Sequence, residues 1–240
     1  VHPLSLSSFT SQIIDMCSIF NQPCLLCGDH HALRGFCHPC RQSLVRLPNP
    51  HCPRCAHPLS EARLCGRCQL HPPAYDALHV PYVFCYPLDG LIYRFKYGKQ
   101  LELAGALGAL LLENTVKPAS RIDIVIPVPL SKERLAERGF NQSDELARSL
   151  TGTIGNCFFP AMCVRKRNTL PQARLGRRER RHNLQDAFYV KTRLDGLSVA
   201  IVDDVVTTGA TLQAMAETLK KRGAKWVEAW AIAHTLELNT

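Results

Sequence analysis

The sequence predicts an α/β protein: an open parallel sheet flanked by helices, preceded by a small cysteine-rich domain. Three observations carry this. Beyond residue 76, short apolar runs alternate with segments of helical period. Two of those runs, IDIVIPV at 122–128 and SVAIVDD at 198–204, lack two-residue alternation, as strands covered on both faces do. Eight of the twelve cysteines fall into two repeats within residues 24–68.

In chain order, Phe9, Ile13, Met16, Cys17 and Phe20 recur at helical intervals behind Ser7 and Ser8, which predicts a short capped amphipathic helix. The cysteine repeats follow. HPPAYD at 71–76 reads as a proline-marked linker, dividing the chain into 1–75 and 76–240. The second part opens with a strand at 78–86, helices at 88–97 and 100–113, a strand at 122–128 and helices at 131–137 and 141–150. Strands near 161–165, at 187–190 and at 198–204 come next. A helix over 210–223, stopped by Gly223, and a last strand over 225–234 complete the series.

Composition narrows the class. With 46% hydrophobic and 20% charged residues, the 240-residue chain can bury a core and does not read as disordered. The longest nearly apolar run, 103–112, is far shorter than the roughly 18–20 residues of a membrane span. The first residues show neither a basic leader nor a small-residue cleavage site, so the expected location is cytoplasmic. Thiols there are kept reduced, which favours metal binding over disulfides. Net charge is +9, and 165–181 holds eight basic residues against one acidic, supplying +7 of it. Such concentration implies an anionic partner, a phosphate compound or nucleic acid.

CLLCGDHHALRGFCHPC at 24–40 and CPRCAHPLSEARLCGRC at 52–68 share the spacing Cys-x2-Cys-x9-Cys-x2-Cys. Four soft thiolates per repeat meet the needs of tetrahedral structural zinc, so two ions are expected. Sequential pairing groups Cys24, Cys27, Cys37 and Cys40 on one ion and Cys52, Cys55, Cys65 and Cys68 on the other; a cross-braced arrangement joining alternate knuckles uses the same ligands. Cys17, Cys85, Cys157 and Cys163 stand alone in apolar surroundings and are expected to be buried packing. Of the aromatics, Phe36 is the clearest base-stacking candidate near the knuckles, while Tyr82, Phe84, Tyr86, Tyr93, Phe95 and Tyr97 are mostly core candidates.

At VAIVDDVVTTGATL an apolar strand runs into Asp203 and Asp204, then Thr207, Thr208, Gly209, Ala210 and Thr211, then a helix. Strand-end carboxylates can accept hydrogen bonds from vicinal ribose hydroxyls. Loop amides and threonine hydroxyls at a helix start can hold a phosphate, and Gly209 lets the backbone approach.

These residues resemble the signature of type I phosphoribosyltransferases. The resemblance implies that the acidic pair binds the ribose of phosphoribosyl pyrophosphate (PRPP) and the Thr-rich turn its 5-phosphate, with Mg²⁺ accompanying PRPP. IYRFKYGKQLELA at 92–104, IPVPLSKERLAERGFNQSDELA at 126–147 and VRKRNTLPQARLGRRERRHNLQDAF at 164–188 extend it to the ComF/GntX family, competence-associated proteins with a zinc ribbon ahead of a type I phosphoribosyltransferase-like parallel sheet.

The second block resembles the pyrophosphate-side element, which assigns Arg134, Arg138, Gly139, Asn141 and Gln142 to it. The third corresponds to the mobile loop, carrying Arg165, Arg167, Thr169, Gln172, Arg180, Arg181 and Asn183. That loop reads either as a lid supplying cations to departing pyrophosphate or as a strip tracking a nucleic-acid backbone. Lys96 either reaches the pocket or satisfies the terminal carbonyls of its helix. The function expected is PRPP binding in DNA uptake, with transfer of ribosyl phosphate as its enzymatic form. Non-catalytic handling of single-stranded DNA alongside DNA-uptake proteins, and PRPP sensing, are the other readings.

Overall fold

A computed structural model describes residues 22–30, 32–115, 122–155, 157–166 and 187–236. The expected helix around Phe9–Phe20 and the loop positions Arg167, Thr169, Gln172, Arg180, Arg181 and Asn183 lie outside the described residues. The chain forms two compact units, Val1–Leu44 and Val45–Thr240.

In the first unit, Gly28 and Gly35 take positive φ in two tight turns, and Leu33 bridges Phe36. Helix α1 (His38–Gln42) starts directly after Cys37, with a proline in its first turn where no amide partner is needed. The second repeat repeats this grammar: helix α2 (Gly66–Leu70) starts directly after Cys65.

The second repeat belongs to the same compact unit as the sheet, a unit that begins at Val45. The stretch 45–53, running into the second repeat, is stitched to residues 78–83: Leu78 N–H donates to Pro53 O at 2.9 Å, Leu47 N–H to Pro81 O at 2.8 Å and Val83 N–H to Val45 O at 2.9 Å. Leu47 and Ala56 share one apolar core with Tyr75, Leu78 and Val80. Composition alone marks the change at the linker, whereas burial decides which side of it is packed.

The sheet runs in the order β1 (Ala77–His79), β8 (Trp226–His234), β7 (Ser198–Val206), β3 (Ile124–Pro127) and β4 (Cys157–Phe158), with β2 (Tyr82–Val83) also on β8. All these pairings are parallel. The single strand expected over 78–86 is divided at Val80 and Pro81, because proline has no N–H for the ladder. β4 is too short to show a pattern in sequence. A separate antiparallel pair joins β5 (Cys163–Arg165) to β6 (Phe188–Val190).

β3 is buried at all four positions, and β8 at seven of nine. One face of the sheet, with Ile124, Ile126, Val199, Ile201, Val227 and Ala229, packs on helix α7 (Ala210–Lys221) through Leu212, Met215, Ala216 and Leu219. Strand side chains alternate, which leaves Val125, Ala200 and Val202 for the other face. Helices α4 (Leu103–Thr115) and α6 (Gln142–Ile154) pack on each other and on β8, β7 and β3. Their close approach requires Gly108, where a Cβ would come within 2.9 Å of Ser149 Oγ. Helix α3 (Leu88–Tyr97) buries Leu88, Leu91, Ile92 and Phe95, and α5 (Lys132–Arg138) follows β3.

The carboxyl ends of β3 and β7 lead into α5 and α7, so the loops carrying the sequence motifs leave the same edge, the usual ligand side of an open α/β sheet. Gly223, just after α7, has φ +100°. A Cβ there would run into Asp195 Oδ1 and lie 3.1 Å from Asp195 Cα. We expect Gly223→Ala to lower stability by about 1–3 kcal/mol, moving Tm by about 2–4 °C per kcal/mol. An unchanged Tm in a thermal melt would show that this turn relaxes freely.

Candidate functional site

Strand β7 crosses the middle of the sheet and places Asp203 and Asp204 near its carboxyl end. The two carboxylates have different partners. Asp203 Oδ1 accepts from Ser143 Oγ at 3.1 Å and from the Asp204 N–H at 3.0 Å. Asp204 Oδ1 accepts from the Val205 N–H at 2.7 Å, and its Oδ2 lies 3.0 Å from Lys96 Nζ. Burial, and then the neighbouring Asp204 charge, push the Asp203 carboxyl up to about 7 against the opposing pull of Lys96. Lys96 thus reaches the strand edge from α3 instead of closing its own helix. Ser143 had no signal in the sequence: only the packing of α6 on β7 brings it to the carboxylate.

After β7, Thr207, Thr208 and Gly209 turn the chain into α7. Gly209 is the N-cap residue, with φ +72°, and supplies no side-chain cap to a twelve-residue helix. Thr208 Oγ1 accepts from the Ala210 N–H at a long 3.4 Å, and Thr211 begins the helix beside Ala210. A helix start bordered by hydroxyls, without a strong internal acceptor, is suited to an anion.

On the β3 side, Ser131 caps α5, accepting from the Arg134 N–H, and Gly139 ends it with φ +82°. The Asn141 side chain is spent on structure. Its Oδ1 accepts from the Ser143 N–H at 3.1 Å, while Nδ2 donates to Val128 O and Asp144 Oδ1, both at 3.0 Å. Asn141 therefore fixes the start of α6 to the end of β3. Arg138 donates to Gln142 Oε1 at 2.8 Å and to Tyr97 Oη at 3.4 Å, with its guanidinium 4.9 Å from the Tyr97 ring centre. Arg138 and Gln142 thus hold each other.

Arg165 lies within electrostatic reach of both Asp203 and Arg134. Burial lowers the Arg165 pKa first, Arg134 repulsion adds to the lowering, and attraction to Asp203 opposes it. Arg165 also stands 5.7 Å above the Phe188 ring centre. One edge therefore gathers an acidic pair, a lysine, two arginines and a hydroxyl-rich helix start.

The eight knuckle cysteines form two groups, Cys24, Cys27, Cys37, Cys40 and Cys52, Cys55, Cys65, Cys68, with ligand atoms in each within 4.8 Å of one another. This is the sequential pairing. Tetrahedral zinc with 2.3 Å bonds places its sulfurs about 3.8 Å apart. Cys27 and Cys37 lie 3.6 Å apart, as do Cys55 and Cys65, so both groups fit the ion. Burial raises the Cys24 and Cys52 thiols, but backbone N–H groups outweigh it and bring them to about 6 and about 7. Outside these groups Cys163 is buried as expected, whereas Cys85 is half-buried and Cys157 exposed.

The aromatic residues also part from expectation. Phe36 is buried, as are Tyr82 and Phe95, while Tyr86, Tyr93 and Tyr97 are exposed. Tyr93 and Tyr97 face each other with ring centres 4.9 Å apart. They border a cavity of about 470 Å³ that Phe84, Gly90, Ile92 and Lys96 also line.

Against known proteins, residues 16–69 match a double zinc ribbon domain and residues 135–237 a phosphoribosyl transferase domain. The DNA utilization protein YhgH of Salmonella typhimurium is 36% identical over 221 residues, covering 89% of this chain and 97% of the relative. Competence protein F of Haemophilus influenzae is 33% identical, covering 91% and 99%. Competence protein ComFC of Bacillus subtilis is 28% identical, covering 78% of each chain. No helix among the described residues is long and apolar enough to cross a membrane.

The Asp203 environment has a measurable consequence. An acid whose pKa is raised by folding binds more protons folded than unfolded. Its contribution therefore declines as pH rises from the unfolded value of about 4 through about 7. We expect the stability of Asp203→Asn relative to wild type to increase across that window in denaturant titrations. A constant difference would refute the raised pKa.

Proposed function

The chain belongs to the family of the DNA utilization protein YhgH and competence protein F, a double zinc ribbon joined to a phosphoribosyl transferase domain, and from this we propose that it binds PRPP with Mg²⁺ at the carboxyl edge of its sheet. The observation that carries the reading is the meeting there of Asp203, Asp204, Lys96 and the Thr207–Thr211 turn, with Arg165 in electrostatic reach of Asp203. Asp203, half-buried beside a serine hydroxyl, is placed to exchange that hydroxyl for one from ribose. Asp204 is almost fully buried against Lys96 and sets the position of that cation.

Thr207, Thr208, Gly209, Ala210 and Thr211 hold the 5-phosphate through hydroxyls and helix-start amides. Arg134 and Arg165 face the pyrophosphate, where positive charge stabilises negative charge growing as the anomeric carbon–oxygen bond breaks. Mg²⁺ would further neutralise the pyrophosphate oxygens. Arg138 and Gln142 act one step back, as a braced pair, and Asn141 and Gly139 shape the turn. The basic loop carrying Arg167, Thr169, Gln172, Arg180, Arg181 and Asn183 is assigned as the cover of the pyrophosphate, and the setting as cytoplasmic.

Calorimetric titration with PRPP and Mg²⁺ tests this. We expect saturable binding by the wild type and at least a tenfold loss in Asp203→Ala, the equivalent of about 1.4 kcal/mol. Wild-type protein that takes up no PRPP would refute the reading. Pyrophosphate release on adding an amine or base acceptor separates transfer from sensing.

A second reading, binding of single-stranded DNA, gains from the exposed Tyr93 and Tyr97, which border a cavity with Lys96 while Arg138 stacks on Tyr97. Base stacking on aromatic rings contributes about 1–3 kcal/mol per base. Oligothymidylate binding should weaken in Tyr93→Ala, and its salt slope should fall when Arg177, Arg178, Arg180 and Arg181 are neutralised. Unchanged affinity and slope would remove this reading.

A further inference from the structure

The second cysteine group lies in the same compact unit as the sheet, and its connection to the phosphate-side turn can be followed bond by bond. Its first knuckle is closed by Ala56 N–H donating to Cys52 O at 2.8 Å and Cys52 N–H to His57 O at 2.9 Å. Ala56 is fully buried in the main core at φ +58°. An alanine persists in that left-handed conformation only when its surroundings impose it. Metal bonds to Cys52 and Cys55, four and one residues before it, would impose it. Pro53 O, between those ligands, accepts from the Leu78 N–H of β1.

From β1 the path leads back to Ala74, Tyr75 and Asp76. Asp76 is anchored three times: its N–H donates to Val227 O at 2.7 Å, and its carboxylate accepts from the Val227 N–H at 2.8 Å and from Lys220 Nζ at 2.6 Å. The Ala74 N–H donates to Gln213 Oε1 at 2.8 Å, reaching the first turn of α7. Between them Tyr75 is buried, with its hydroxyl 3.3 Å from the point a Cβ on residue 209 would occupy. Tyr75 also shares one buried apolar cluster with Ala56 of the knuckle. One side chain thus stands between the cysteine group and Gly209.

We propose that Tyr75 is a positioning residue coupling metal occupancy of the Cys52, Cys55, Cys65 and Cys68 group to the Gly209 turn, so that metal loss there loosens the turn and weakens ribosyl-phosphate binding. The ligand part rests on the function proposed above; the coupling of metal to turn does not. The Cys24, Cys27, Cys37 and Cys40 group, in the other compact unit, has no such role and serves as the control.

The test compares full-length Cys52→Ser/Cys55→Ser, Cys24→Ser/Cys27→Ser and Tyr75→Leu. Metal is measured by mass spectrometry, amide exchange over 207–213 by hydrogen–deuterium exchange, and PRPP binding by calorimetry. Each cysteine variant should lose one zinc, and Tyr75→Leu none. Exchange over 207–213 should rise about tenfold or more in the Cys52/Cys55 and Tyr75 variants only, with PRPP affinity falling by a similar factor.

Tyr75→Leu keeps the proposal open to refutation should the Cys52/Cys55 variant not fold. A contact-specific readout accompanies it: Gly209→Ala should weaken PRPP binding less in a Tyr75→Phe background than in wild type. Unchanged exchange in Tyr75→Leu, an equal response of the Cys24/Cys27 variant, or strictly additive losses in the double variant would each overturn the coupling. Wild-type protein that binds no PRPP would instead refute the ligand reading, leaving exchange to judge the brace.

Discussion

Two carboxylates on consecutive residues of a buried strand repel each other and lose hydration together, so a sheet edge that carries them needs a cation within reach. Lys96 supplies it from α3, 3.0 Å from Asp204 Oδ2. Taking an ion pair out of water costs more than the attraction returns unless further hydrogen bonds complete the shell. Here the Val205 N–H, the Asp204 N–H and Ser143 Oγ help to complete it. The arrangement ties α3 and α6 to the end of β7, and the candidate site is built around that fixed centre.

Around it the local chemistry of turns does the positioning. Ser131, Gly139 and Asn141 govern where α5 and α6 begin and end, which sets Arg134 near Arg165 and Arg138 against Tyr97. Several polar residues of the motif thereby serve the backbone rather than a ligand. Asn141 is the clearest: both its amide hydrogens and its oxygen are engaged within the fold. The second cysteine group extends this logic, because its knuckle is hydrogen-bonded to β1 and inserts Ala56 into the core beneath the sheet.

The parallel sheet was legible because VAIVDD and IDIVIPV carry no alternation, and burial on both faces leaves that trace in sequence. The two cysteine groups were legible because equal spacing repeats, and the Asp203–Asp204 turn because its residue types are specialised. Less was legible where one residue type serves two environments. Tyr93 and Tyr97 look like core residues by composition, yet they fall on the outward side of α3 because Leu91, Ile92 and Phe95 occupy the inward one. The strand expected over 78–86 was broken by Pro81, whose missing amide matters only once a neighbouring strand is known.

By itself, the sequence determined the sheet class, the two sets of four thiols and the strand-to-helix turn, since each follows from periodicity, spacing or backbone chemistry within a short window. Tertiary structure decided which cysteines share a site, that Lys96 serves Asp204, that Ser143 meets Asp203, and that the second cysteine repeat is packed into the sheet's own core. Such tertiary contacts join residues as far as 151 positions apart, as Asp76 and Val227 are. Contacts of that separation depend on how the helices and knuckles pack, which no local pattern encodes.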